Sequence, residues 1–140
     1  MYRKVAIRSV RPEDEVRLFA LATELFGETP GFRPERTLAV LETDAVFVAE
    51  AGRDTAGYAA VEQAGDAVRI DHLLVSEVHC GEQVEAQLLE FAEGYAISVG
   101  ARALQVVVEP ENRRAVDFYR SRGFVPAGEG LLELLLPSLP

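Results

Sequence analysis

Two stretches of the chain gather residue types that can bind a ligand and act on it. The first runs from Asp71 to Gly100: a strand ending near Ser76, a short loop, and a helix beginning near Gly81 or Glu82. Backbone N–H groups at such a helix start are unpaired and point outward. With the macrodipole behind them they favour an anion, most often a phosphate. The second stretch is the helix from Asn112 to Ser121. Asn112, Ala115, Val116 and Tyr119 recur at helical spacing and share one face. Asn112 offers an amide donor and a carbonyl acceptor near the helix start, and Tyr119 offers a hydroxyl two turns on. The small Ala115 between them leaves room for a ligand to lie along the helix. The same residues also suit an N-cap and a core aromatic.

The elements that must position these groups follow from the hydrophobic pattern. Residues 4–10 alternate as a strand with one wet face. Pro12 suits a first helical turn, with Glu13, Asp14 and Glu15 at the positive end of the dipole. Leu18, Leu21, Ala22, Leu25 and Phe26 recur at helical spacing up to Gly27. Pro30, Gly31 and Pro34 mark a loop, and residues 35–43 read as a second helix. Residues 45–51 and 56–64 form an antiparallel hairpin about Gly52, and Gly65-Asp66 turns into a strand over 67–75. The long helix places Val84, Leu88, Phe91 and Tyr95 on one face and stops at Gly100. Residues 103–108 are almost continuously apolar, as befits a strand covered on both faces and paired in parallel across the helix. After the helix from Asn112, residues 124–127 and 131–136 form a closing hairpin. Its last strand is too apolar for an open edge and belongs inside the sheet or in a subunit contact.

The order β-α-α-β-β-β-α-β-α-β-β resembles the GNAT superfamily of N-acetyltransferases. The stretch Asn112-Arg-Arg-Ala-Val-Asp-Phe-Tyr119 followed by Gly123-Phe124 looks like that superfamily's C-terminal motif, Asn-x-x-Ala-x-x-Phe-Tyr and then Gly-Phe. Leu73-Leu-Val75 with the loop and helix to Tyr95 looks like its acetyl-CoA motif. The resemblance spans residues 1–140 as a single domain. It implies an α/β fold of the α+β kind, with one mixed central sheet of about seven strands, four flanking helices, and a splay between the fourth and fifth strands near Val75 and Val108.

What the resemblance implies for the chemistry is specific. Acetyl-CoA is the co-substrate, and its pantetheine arm lies in the splay against the backbone of Leu73, Leu74 and Val75. Cys80, Gly81, Glu82, Gln83, Val84 and Glu85 receive the pyrophosphate. Asn112 holds the pantetheine arm beside Ala115, and Tyr119 protonates the leaving thiolate. A substrate amine, on a small molecule or a protein, attacks the thioester directly while a backbone N–H, that of Val75, polarises the carbonyl. Asp71, His72 and Glu109 are the candidates for the base that takes the amine's proton. Asp71 and His72 are neighbours on one strand, so alternation turns them to opposite faces and only one can serve.

The phosphate loop departs from the superfamily's pattern of Arg or Gln, two residues, Gly, one residue, Gly or Ala. Cys80 stands at the Arg/Gln position, and Gln83 and Glu85 fill both small positions. Side chains there stand where backbone must approach the pyrophosphate, and Glu85 adds a negative charge. Glu82 and Glu85 are also placed to satisfy the helix start themselves. These departures define a second reading, a GNAT-fold domain without normal CoA binding that serves as a ligand-binding or protein-interaction module.

Bulk composition narrows the field. A chain of 140 residues with 49% apolar and 26% charged residues builds one ordinary globular core. The net charge of −9 argues against a nucleic-acid partner, which needs a basic face. No apolar run is long enough for a membrane span, and no signal peptide is evident, so a cytoplasmic location is the default expectation. One cysteine excludes an internal disulfide, and His79-Cys80 lacks a second ligand pair, so no metal is expected. A homodimer through residues 131–136 is an open expectation. The loop reading yields a test: Gln83→Gly with Glu85→Gly should tighten acetyl-CoA binding by about tenfold or more, since each charge repulsion at about 5 Å costs on the order of 1–3 kcal/mol. Titration followed by thermal stability measures it, and unchanged affinity would refute the reading.

Overall fold

The computed structural model describes residues 5–79 and 83–137. Seven strands and four helices follow in the order β1 (Ala6–Ser9), α1 (Glu15–Phe26), α2 (Pro34–Thr43), β2 (Ala45–Ala51), β3 (Asp54–Ala64), β4 (Ala67–Val75), α3 (Val84–Ser98), β5 (Ala103–Val107), α4 (Arg113–Ser121), β6 (Val125–Gly128) and β7 (Leu131–Leu135). One sheet holds all seven strands in the spatial order β1-β2-β3-β4-β5-β7-β6. Only β4 and β5 are parallel, which is what a strand–helix–strand crossover requires. The apolar β7 lies inside the sheet between β5 and β6, so the closing hairpin buries its hydrophobic arm and leaves the Pro126-bearing arm at the edge.

Helices cover both faces. Leu18, Leu21 and Ala22 of α1 and Leu41 of α2 pack on Val46, Val48, Tyr58, Ala60 and Leu74. On the opposite face Leu89, Ala92 and Ala96 of α3 pack on Val61, Val68, Ile70, Leu104 and Val106. Phe47 adds aromatic contacts to Phe91 and Tyr95, with ring centroids 4.9 and 5.5 Å apart. At the end of α4 the chain reverses through Gly123, at φ 97°, and the N–H of Phe124 donates to the Tyr119 carbonyl at 3.1 Å. That reversal drops Phe124 into the core, where burial of such a side chain stabilises by about 1.5–3 kcal/mol. The Gly-Phe of the helical motif is therefore an anchor for α4.

Two features of β4 shape everything near its end. The first is a fork. The parallel pairing with β5 runs from Ala67 and Ala103 only as far as Ile70 and Val106. Beyond it, β4 stays paired with β3 up to Val75, while the end of β5 turns to its other neighbour, with Val108 N–H donating to Gly130 at 2.8 Å. The second is a register slip. His72 pairs with Ala60 and Ile70 with Val61, so Asp71 has no partner on β3.

Gly57 holds β3 close to the outer arm of the fork. A Cβ there would sit 2.3 Å from the Leu74 carbonyl oxygen, a backbone atom that cannot swing aside. Gly57→Ala should therefore cost about 1–3 kcal/mol, read as a lower unfolding midpoint in denaturant. A midpoint equal to the parent's would show that β3 and β4 can move apart freely.

Candidate active site

The slip at Asp71 changes which residues meet. Val68 and Ile70 point towards α3, and strict alternation would send His72 and Leu74 the same way. Instead Leu74 packs with α1 and α2, and His72 bonds Tyr58 of that same layer. Asp71 lies on this side too, bonded to Arg69 at 3.2 Å. The opposite-face expectation for Asp71 and His72 is thus overturned, because an unpaired residue resets the alternation. Both line one cleft of about 270 Å³, walled by Phe26, Phe32, Thr37 and Leu73.

The remaining site residues fall into distinct settings. Glu109 is exposed in the turn before α4 and is not part of that cleft. Asn112 caps α4, its Oδ1 accepting from the Ala115 N–H at 3.2 Å, which leaves the amide N–H groups for another partner. Ala115 packs against the core from α4. The Tyr119 ring is 6% exposed and lies edge-on to Phe118 and Phe124, in the cluster that also holds Leu73, Val106 and Val108 at the fork. Its ring is thus a core aromatic, and its hydroxyl bonds no group among the described residues. Burial, and then the negative charge of Glu85, raise its pKa.

At the start of α3, Cys80, Gly81 and Glu82 lie outside the described residues. The helix proper begins at Val84, later than the sequence pattern suggests, with Gln83 as N-cap and no side-chain capping bond. Val84 is a core residue packed with Leu88, Ala51 and Ala59 rather than a loop contact. Glu85 pairs with Arg114 on α4 at 2.9 Å. Its charge is therefore met by an arginine from the neighbouring helix, which sequence spacing gave no reason to place there, and it does not cap its own helix.

A further cluster had no signal in the sequence because its members come from three elements. Asp44, at the end of α2, Glu62 on β3 and Asp71 bring carboxylate oxygens within 4.8 Å of one another, near enough to share a cation. Arg69 already bonds two of them, at 2.6 Å to Glu62 and 3.2 Å to Asp71. Asp44 Oδ2 and Asp71 Oδ2 are both buried without a partner, and a proton held by Asp44 satisfies both at once. Burial, then the adjacent Asp71, push the Asp44 carboxyl up to about 8. Glu62 is raised as well, chiefly by Asp71. At Asp71 burial works upward but is outweighed by Asp44, Glu62 and Arg69, which hold it ionised.

The folded chain keeps a proton on Asp44 that the unfolded chain releases near 3.8, so stability falls as pH rises from about 4 to about 8. Asp44→Asn, whose amide replaces that proton permanently, should flatten this slope and raise the melting temperature at pH 8. An unaltered pH profile would refute the shared proton.

Comparisons with known proteins agree with this architecture. Residues 33–133 match the family model described as Acetyltransferase (GNAT) domain. Among solved structures, an N-acetyltransferase from Staphylococcus aureus Mu50 superposes with a TM-score of 0.81 at 18% identity, over 96% of this chain and 99% of that one. The ribosomal-protein-S18-alanine N-acetyltransferase from Escherichia coli gives 0.79 at 18% identity, over 98% and 96%. A GNAT family acetyltransferase from Brucella melitensis in complex with acetyl-CoA gives 0.76 at 17% identity, over 99% and 93%. Among curated proteins, none matches the chain in sequence. No helix among the described residues is long and apolar enough to cross a membrane. With the matched model covering most of its length and the forked sheet in place, the chain belongs to the GNAT acetyltransferase family.

Proposed function

We propose that the protein transfers an acetyl group from acetyl-CoA to a primary amine by direct attack. The observation that carries this reading is the fork between β4 and β5, with Ala115 and Tyr119 of α4 packed into the cluster that holds Leu73, Val106 and Val108 beside it. The inner edge of Asp71–Val75 has no strand partner among the described residues, and an extended thiol-bearing chain can take up its backbone groups. The amine nitrogen bonds to the thioester carbonyl carbon and the C–S bond breaks. The Val75 N–H polarises the carbonyl oxygen. Tyr119, kept protonated by burial, gives its proton to the leaving thiolate. The amine's proton goes to the floor of the cleft, where Asp71 and His72 stand side by side.

Arg114 compensates for the altered phosphate loop. It is exposed and tethered to Glu85 at the start of α3, so it offsets the negative charge that Glu85 brings to that loop. Of the acceptor, the cleft's Phe26, Phe32 and Leu73 favour an amine on an apolar body, with a carboxylate close by for its charge. Exposed Val107, Val125 and Leu135 on the β5-β7-β6 wing support a contact with a second copy of the chain.

The test is release of free thiol from acetyl-CoA in the presence of a panel of primary amines. Turnover with the parent chain and a loss of about 10²–10⁴-fold in Tyr119→Phe, at unchanged melting temperature, is the expected result. Absence of thermal stabilisation by millimolar acetyl-CoA would instead favour a binding module without acetyl transfer.

A further inference from the structure

Tyr58 is wholly buried on β3 beneath α1 and α2, with no exposed surface. Its hydroxyl has one partner among the described residues, the Nδ1 of His72 at 3.0 Å. The two rings meet edge to face at 5.8 Å, and His72 itself forms part of the cleft wall. A bond between a phenol and an imidazole nitrogen can be drawn in two directions, and burial decides between them. If His72 donated from Nδ1, the Tyr58 O–H would be left without an acceptor in an apolar layer, at a cost of about 1–3 kcal/mol. If Tyr58 donates, both groups are satisfied. A neutral imidazole carries one N–H, and with Nδ1 accepting it must stand on Nε2.

We infer that Tyr58 is a positioning residue that locks His72 with its lone pair turned to the core and its Nε2–H left for the cleft, so that His72 binds an oxygen atom of the acceptor molecule and does not take its proton. This rests on the acetyl-transfer reading above and deepens it. Burial lowers the His72 pKa, so the ring is neutral at physiological pH, and burial raises that of Tyr58, so the phenol keeps its proton. The nearby Asp71 carboxylate opposes the first effect but is the smaller influence. With no vacant lone pair facing the cleft, His72 leaves the amine's proton to another group, Asp71 being the other candidate on the cleft wall. The acceptor class follows: a primary amine on an apolar or aromatic body, with a carbonyl or hydroxyl oxygen beside the amine for the Nε2–H. An amine lacking that oxygen forfeits the bond and leaves a buried donor unpaired.

Two measurements test this on the intact chain. Nitrogen-15 NMR of the histidine rings reads the tautomer without any substrate. The chain has two histidines, and His79→Asn assigns the signals. The expected spectrum for His72 has a bare Nδ1 and a protonated Nε2, and Tyr58→Phe releases the ring to a mixture. A protonated Nδ1 in the parent would overturn the proposal. The second measurement compares phenylalaninamide with phenethylamine, which lacks the carbonyl. The parent should prefer the amide by about tenfold or more in kcat/KM. His72→Gln, whose side-chain amide donates but cannot act as a base, should keep that preference and stay within about tenfold of parent turnover. His72→Ala should lose the preference. Equal loss in Gln and Ala variants would identify His72 as the base and end the proposal. If the parent acetylates no amine at all, the acetyl-transfer reading fails, and with it the acceptor class, while the ring spectrum still decides the tautomer.

Discussion

One unpaired residue in the fourth strand decides which side chains this domain brings together at its candidate site. Strand β4 has two tasks that regular alternation cannot combine. Up to Ile70 it must feed Val68 and Ile70 into the layer under α3, and from His72 onward it must feed His72 and Leu74 into the layer under α1 and α2. Leaving Asp71 without a partner on β3 resolves the conflict by resetting the faces. The same site is where β4 and β5 part, since their last pair is Ile70 with Val106. The slip, the fork and the cleft are thus neighbours along one short length of chain, and a change to the register of β3 and β4 alters all three.

Most of the architecture was legible because its signals are local. Periodicity marked the helices, and turn residues such as Gly52 and Gly65 marked the hairpins. The apolar run at 103–108 marks an interior strand, which lies between β4 and β7, although the exposed Val107 shows that one face is covered only in part, and the apolar residues 131–136 call for a place inside the sheet, which β7 takes. The motif at Asn112–Phe124 was legible as a family resemblance, and its parts divide sensibly. Asn112 caps, Gly123 and Phe124 anchor, and Tyr119 packs beside the fork.

What escaped the sequence is non-local or depends on a single displaced residue. No spacing rule predicts that Asp44, Glu62 and Asp71 converge, because α2, β3 and β4 meet only in the folded sheet. Glu85 looked like an uncompensated charge because its partner, Arg114, lies 29 positions away on another helix. The facing of Asp71 and His72 was misjudged because a bulge leaves no mark in alternation until the partner strand is known. In each case tertiary contact supplied the deciding term, and in each case the affected residue borders the candidate site.

The insertion of β7 between β5 and β6 has a consequence for biosynthesis. Strand β5 cannot acquire its second neighbour until the chain has been made as far as Leu135, the end of β7. Until then the nascent domain carries an apolar, unguarded border along Ala103–Val107, open to pairing with any extended peptide nearby. Assembly of the final wing therefore waits for the synthesis of β7 and closes a non-local contact between it and β5.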